Sequence, residues 1–165
     1  MPLFPVYCIA NISVPIVESF LSDSLAGSNR IVPNTHPCLA IVTADGEMPT
    51  IASKPPLLPL TSPFIGKSID ELSGQLSGAR HFAVLDERST EDKTAILGSR
   101  NSDGSVETVR VTFDAAQSLL TSLDVGSIGF NEIQGIATSS GGVYGMSYEG
   151  PKKGGPAPRK RLGGN

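Results

Sequence analysis

The chain of 165 residues contains no tryptophan, two cysteines and two histidines, and its aromatic content is 5%. So few cysteines exclude a disulfide scaffold, because small secreted domains of that kind depend on several bridges. No apolar stretch approaches the ~18 residues that a membrane-spanning helix needs. Residues 1–11 contain no lysine or arginine and are interrupted by Pro2 and Pro5, unlike a signal peptide. We therefore expect an intracellular protein, cytoplasmic or nuclear, without membrane contact.

Motifs of known catalytic chemistry are also missing. There is no Gly-x-Ser-x-Gly nucleophile motif, no Cys-x-x-Cys pair, no His-Glu-x-x-His zinc motif and no phosphate-binding loop. Gly141–Gly145 is rich in glycine but lacks the strand-to-helix setting of a phosphate site, so it indicates a flexible approach to the C-terminus. We expect no cofactor and no metal ion, and these absences favour a protein that is not an enzyme.

The length predicts a single domain, with 18 glycines and 13 prolines concentrated in particular segments. Five prolines between residues 49 and 63 exclude a helix or a central strand there. Apolar residues interleaved with them predict a loop that lies against the domain, namely Ile51, Leu57, Leu58 and Leu60. We place a globular domain at residues 1–138, with this proline-rich loop at 49–63, and a Gly/Pro-rich basic tail at 139–165.

Apolar runs predict five strands, at Val6–Asn11, Cys38–Thr43, Ala79–Asp86, Thr94–Gly98 and Val106–Thr112. Helix caps and 3.6-residue spacing predict a first helix from Ser13 that stops at Gly27, a second behind the capping box Ser68–Glu71, and a third opened by Asp114 with Gln117. Residues 125–137 supply further core positions, Ile128, Phe130, Ile133 and Ile136. The expected fold is α/β, with α+β as the alternative. It has one mixed sheet that includes an antiparallel meander, with about three helices packed on it.

The net charge of −3 is an average over two unlike regions, because residues 1–149 carry −8 and the remainder carries +5. The basic residues of the tail are Lys152, Lys153, Arg159, Lys160 and Arg161. Such a tail is suited to a partner's acidic surface, to another copy of the chain, or to salt-sensitive contact with phosphates. The sequence therefore predicts a non-catalytic interaction module that binds a protein or itself, with nucleic acid reached through the tail alone.

One ionisable cluster offers an enzymatic alternative. Asp86, Glu87 and Arg88 lie at the end of the predicted strand Ala79–Asp86, and His81 lies near its start. Such groups can supply acid and base catalysis, so the alternative is a small hydrolase or isomerase that uses these four residues. The competing interpretation is a solvated hairpin loop in which Arg88 or Arg110 pairs with the acids.

The C-terminus offers a second alternative. Arg161–Asn165 places Gly163 and Gly164 before one final residue, as at the processed end of ubiquitin-like modifiers. Those modifiers open with a strand hairpin, however, whereas this sequence predicts a strand followed by a helix.

Three segments, His81–Leu97, Thr108–Asp114 and Asp124–Glu132, together resemble a family of small bacterial and fungal proteins described as a domain of unknown function. The shared pattern is a hydrophobic strand, a charged loop, a second strand, an arginine-containing strand and an element with phenylalanine and an acid. The predicted helix Ser68–Leu76 fits this pattern, and the resemblance spans Val6–Ile136. It implies a compact α/β domain and assigns no catalytic residue.

Overall fold

Six strands form one mixed sheet in the order β2-β1-β3-β4-β5-β6 in the computed structural model, which describes residues 2–74 and 79–146. β1 is parallel to β2 and β3, whereas β3, β4 and β5 form an antiparallel meander and β6 is parallel to β5. The α/β class with one mixed sheet is therefore confirmed. The strands are β1 (Phe4–Cys8), β2 (Leu39–Ile41), β3 (His81–Leu85), β4 (Thr94–Arg100), β5 (Val106–Thr112) and β6 (Val143–Tyr144).

Five helices, rather than about three, occur in the described part of the chain: α1 (Val14–Ile31), α2 (Ile69–Ser73), α3 (Glu87–Asp92), α4 (Phe113–Asp124) and α5 (Phe130–Ser139). Helix α5 was not predicted as a helix, and the sequence indicated only core positions in this segment. Its N-cap residue is Gly129, which offers no capping side chain, and it contains Gly135, a weak helix former. Phe130 and Ile133 are buried as predicted, but Ile136 is 46% exposed.

Within residues 2–74 and 79–146, no helix is both long and apolar enough to cross a membrane.

Gly27 was predicted to stop the first helix, and this prediction is wrong. Helix α1 continues to Ile31, and Gly27 is buried within it. A Cβ atom at position 27 would lie 1.8 Å from the carbonyl oxygen of Asp114 at the start of α4. This glycine therefore allows two helix backbones to approach closely, a role that depends on a residue far along the chain.

The charged stretch after β3 was interpreted as a loop, but residues 87–92 form helix α3. Asp86 caps this helix, because its carboxylate accepts a hydrogen bond from the backbone N–H of Ser89 at 3.2 Å. The Ser89 hydroxyl in turn accepts from the backbone N–H of Asp86 at 2.9 Å. Lys93 ends the helix in the left-handed conformation, with φ of 55°. Local capping thus outweighs the high charge of the segment.

The other two predicted helix starts have different outcomes. Ser68 caps α2 as expected, since its hydroxyl accepts from the backbone N–H of Glu71 at 3.2 Å. Leu76, expected on the same helix, lies outside the described residues. Helix α4 begins two residues earlier than predicted, with Thr112 rather than Asp114 at the cap position. Asp114 is not the cap; its carboxylate accepts from the Thr112 hydroxyl at 2.5 Å and pairs with Arg30 at 2.9 Å.

Two apolar cores lie on opposite faces of the sheet. On one face, strand residues such as Val6 and Ala83 belong to the core that includes Phe20 of α1 and Leu120 of α4. On the other face, the strand residues Tyr7, Phe82 and Val84 and Val42, which directly follows β2, pack with Phe64 and Leu72. The second core is therefore completed by the segment between β2 and α2 and by α2 itself.

The proline-rich loop covers the free edge of β2. The Ser53 backbone N–H donates to the Leu39 carbonyl at 2.9 Å, and the Ile41 N–H donates to the Ser53 hydroxyl at 2.9 Å. Leu57 and Leu60 pack against the core, whereas Ile51 and Leu58 are 77% and 84% exposed. The loop lies against the domain as predicted, but half of its apolar residues face solvent. The peptide bond between Pro55 and Pro56 is cis.

The glycine-rich segment after α5 is not merely a flexible connection. Val143 and Tyr144 form β6 beside Arg110 and Val111 of β5, and Val143 is 2% exposed. The sheet therefore extends past residue 138, the boundary expected for the domain. The five basic residues of the tail and the terminal Gly163 and Gly164 lie outside the described residues.

Replacing Gly27 by alanine is expected to destabilise the fold by about 1–3 kcal/mol or more, because the new methyl group meets a backbone carbonyl that cannot easily move. Gly135→Ala is the matched control, since it lies in an exposed part of α5 with open space at its Cβ position. We expect it to stabilise the fold by up to about 1 kcal/mol. Urea unfolding monitored by circular dichroism measures both changes. Equal stability of the two variants would contradict the proposed role of Gly27.

Candidate functional site

His81 and Asp86 lie at opposite ends of β3. His81 is its first residue and Asp86 follows its last, so their Cα atoms are separated by about 16 Å at ~3.3 Å per residue. His81 is 7% exposed, and its Nδ1 has no hydrogen-bond partner in the described structure. Burial lowers the pKa of His81, the nearby Arg80 lowers it further, and Asp124 opposes this shift. The imidazole is therefore neutral at pH 7 and remote from the acidic cluster.

Asp86 forms an ion pair with Arg110 of β5. Its Oδ1 accepts from one terminal nitrogen of the guanidinium group at 3.1 Å, and its Oδ2 accepts from the other. Arg110 also donates to the Thr94 hydroxyl at 3.0 Å. Burial alone would raise the pKa of Asp86, but the hydrogen bonds and charge of Arg110, with the bonds from Ser89, lower it overall. The carboxylate is thus ionised and its oxygens are occupied, as the predicted pairing with Arg110 requires.

The remaining members of the cluster lie on the exposed surface of α3. Arg88 donates from Nε to Asp92 at 2.6 Å, one helical turn away, and Glu87 is exposed in the first turn. A cavity of about 540 Å³ adjoins Arg110, but His81, Asp86, Glu87 and Arg88 are not among its lining residues. The structure therefore does not bring the four predicted catalytic candidates together around a common cavity.

Both thiols are free and buried. Burial raises the pKa of Cys8 to about 11. It also raises that of Cys38, with the Thr121 hydroxyl at 3.9 Å acting in the opposite direction. Both side chains are therefore protonated at pH 7, whereas a nucleophilic cysteine requires the thiolate. Across residues 2–74 and 79–146, no group of three or more His, Cys, Asp or Glu side chains is placed to hold a metal ion.

A different surface has the features of a binding site. A groove of about 350 Å³, here called the helical-face groove, lies between the end of α1, the second half of α4, and β6. Among residues 2–74 and 79–146, none of those that line it is charged. Its apolar side chains are Ile31, Val32, Leu119, Ile128 and Tyr144, and its hydroxyl-bearing residues, besides Tyr144, are Ser28, Thr35, Ser118, Thr121, Ser122 and Ser127.

Two strongly exposed aliphatic side chains line this groove. Ile31 is 69% exposed and Val32 is 61% exposed. Isolated exposed aliphatic residues are common, but a group of them around a concave surface is typical of an interaction site. The groove thus combines concave shape, apolar character and the absence of charge.

The Ser28 side chain adds a polar feature to the helical-face groove. Ser28 is 4% exposed, and its hydroxyl has no hydrogen-bond partner among the described residues. A buried hydroxyl without a partner costs about 1–3 kcal/mol relative to one that is hydrogen-bonded.

Sequence reasoning missed this groove for an identifiable reason. Its residues come from four separate segments, and the prediction that the first helix stops at Gly27 left Ile31 and Val32 unassigned. The available signal was their position at the end of a helix whose apolar face is already supplied by Val17, Phe20 and Leu21.

Comparisons of the sequence with family models, curated proteins and solved structures find no match. The resemblance to a family of small bacterial and fungal proteins of unknown function therefore stays a prediction.

Replacing Asp86 by asparagine is expected to destabilise the fold at pH 7 by about 1–3 kcal/mol, because it removes hydrogen bonds to an ionised group. The pKa of Asp86 is lower in the folded chain than its ordinary value, so the ionised group stabilises the fold above pH ~4. This contribution is lost as the pH falls through the folded-state pKa. The difference from the unmodified chain should therefore shrink between pH 5 and more acidic conditions in urea unfolding.

Glu87→Gln is the control for this prediction, since it removes an adjacent carboxylate that is exposed. We expect it to change stability by less than about 0.5 kcal/mol. Equal stability of Asp86→Asn and the unmodified chain at pH 7 would show that the ion pair between Asp86 and Arg110 does not stabilise the fold.

Proposed function

We propose that the protein is a non-catalytic interaction module that binds an apolar segment of a partner protein in the helical-face groove. The observation that carries this proposal is the uncharged groove with exposed Ile31 and Val32 at its edge. Burying two aliphatic side chains of this size contributes about 1.5–3 kcal/mol each. Because charged residues are depleted at the centre of protein interfaces, the composition of the groove favours a protein partner.

The geometry of the groove indicates the kind of segment that would fit. It lies between the end of α1 and the second half of α4, and grooves between helices commonly accept the apolar face of a partner helix. Specificity would come from the small hydroxyl-bearing side chains, which limit the size of the groups that can enter.

The two alternatives have less support. A hydrolase or isomerase built on His81 and Asp86 requires groups that lie at opposite ends of β3. A ubiquitin-like modifier would open with a strand hairpin, whereas this chain opens with β1, α1 and a parallel β2. Loss of Asn165 in cells, visible by intact-mass measurement, would favour the modifier alternative.

Site-specific photo-crosslinking tests the groove. A photoreactive phenylalanine analogue placed at Val32 in the full chain should yield a covalent adduct with a defined protein partner in cells that naturally produce the chain. The same analogue at Ile136 is the matched control, because this residue is 46% exposed on α5 and does not line the groove. Mass spectrometry identifies the adduct.

An adduct from Val32 that is lost on Ile31→Glu supports the proposal, because the new carboxylate would have to be desolvated in an apolar contact. An adduct between two copies of the chain would identify the partner as the chain itself. Absence of an adduct at Val32, or equal adducts at Val32 and Ile136, would rule out the groove as the binding surface.

The basic tail is proposed to strengthen this binding through charge. Residues 150–165 carry +5 and residues 1–149 carry −8, so the tail is suited to an acidic partner or to another copy. Replacing its five lysines and arginines by glutamine, at constant length, should weaken partner capture and reduce the salt dependence of binding. Light scattering reports the oligomeric state in parallel. Unchanged capture and unchanged assembly would exclude a role for the tail.

A further inference from the structure

The proline-rich loop presents a second surface, distinct from the helical-face groove. Within it, Pro56–Leu60 has the sequence Pro-Leu-Leu-Pro-Leu and is here called the proline ridge. Burial along the ridge repeats every three residues. Leu57 and Leu60 are partly buried against the core, whereas Pro56, Leu58 and Pro59 are exposed.

A repeat of three is the period of a polyproline II helix. In such a helix, positions 57 and 60 share one edge, and positions 56 and 59 share another, with Leu58 on the third. The buried edge faces the protein, so the other two edges face solvent. Leu58 is 84% exposed, which leaves nearly its whole side chain available for contact.

The ridge is held in place rather than free. The Leu57 backbone N–H donates to the Glu18 carboxylate of α1 at 3.0 Å. On one side of the ridge, Ser53 is hydrogen-bonded to β2 at 2.9 Å; on the other, the Ser62 hydroxyl donates to the Cys8 carbonyl at 2.5 Å. A segment fixed in advance loses less conformational entropy on binding than a free peptide does.

Prolines three residues apart, with an aliphatic residue just before the second, match what aromatic-lined grooves of polyproline-binding domains recognise. The carbonyl groups of such a segment also accept hydrogen bonds from indole and hydroxyl donors in those grooves. Lys54 is exposed immediately before the two consecutive prolines, and it adds positive charge beside the ridge. The partner's groove is therefore expected to have an acidic rim.

We propose that the proline ridge is a docking site for a polyproline-binding domain of a second protein, with an aromatic groove and an acidic rim. Pro56, Leu58 and Pro59 contact the groove, while Leu57 and Leu60 keep the ridge against the body. This surface is independent of the helical-face groove, so either can fail without the other.

Titration of the full chain into an array of purified Src-homology-3 and WW domains tests the ridge. These domains carry tryptophan in their grooves, and this chain contains none, so tryptophan fluorescence reports the domain alone. We expect at least one domain to bind with a change in tryptophan emission. Leu58→Ser and Pro59→Ala should each weaken that binding by about tenfold or more, which corresponds to about 1.4 kcal/mol.

Ile51→Ser is the matched control, because Ile51 lies in the same loop, is 77% exposed and is outside the ridge. It should bind as the unmodified chain does. Circular dichroism melting establishes that Leu58→Ser and Ile51→Ser both fold, as expected for exposed positions. The proposal is overturned if no domain in the array binds the unmodified chain, if Leu58→Ser binds equally well, or if Ile51→Ser weakens binding to the same extent.

Discussion

The close contact between α1 and α4 is the constraint on which the helical face depends. Gly27 brings the α1 backbone against the Asp114 carbonyl, and one turn earlier the Ser24 hydroxyl donates to the Phe113 carbonyl at 2.7 Å. The rings of Phe20 and Phe113 meet edge to face, with centroids 5.1 Å apart. Any side chain larger than hydrogen at position 27 would separate the two helices. The helical-face groove begins one residue later, at Ser28, so its shape is a consequence of this contact.

Strand β3 keeps two ionisable side chains of the molecule, His81 and Asp86, far apart. Its extended backbone places His81 at one end, buried and neutral, and Asp86 at the other, where Arg110 and Ser89 occupy the carboxylate. An ion pair of this kind contributes by satisfying groups that would otherwise be costly to bury. Asp86 also caps α3. Its carboxylate, directly after β3, therefore stabilises the start of α3 and links this end of β3 to Arg110 of β5. These contacts give Asp86 a structural role, and the two surfaces proposed to bind partners lie elsewhere on the domain.

The proline-rich loop covers the edge of β2 and also exposes an apolar ridge to solvent. Its Ser53 covers the exposed edge of β2, which would otherwise present unpaired backbone groups to other chains. The lack of backbone N–H groups in its prolines prevents the loop from extending the sheet as another strand. Because the leucines alternate between the core and solvent, the same residues fix the loop and leave an apolar ridge outside. Together with the helical-face groove, this gives the domain two separate exposed apolar surfaces.

The sequence by itself determined the elements whose signals are local. Five strands follow from apolar runs, the start of α2 follows from Ser68 with Glu71, and the irregular course of residues 49–63 follows from proline chemistry. The wide separation of His81 and Asp86 also follows once β3 is recognised as a strand.

Tertiary structure alone decided the rest. Gly27 resembles a helix stop until Asp114, distant in sequence, is placed against it. The two residues of β6 carry no signal of their own and are stabilised by pairing with β5. The helical-face groove exists because packing of side chains from four segments leaves a space between them, and no local pattern encodes a space.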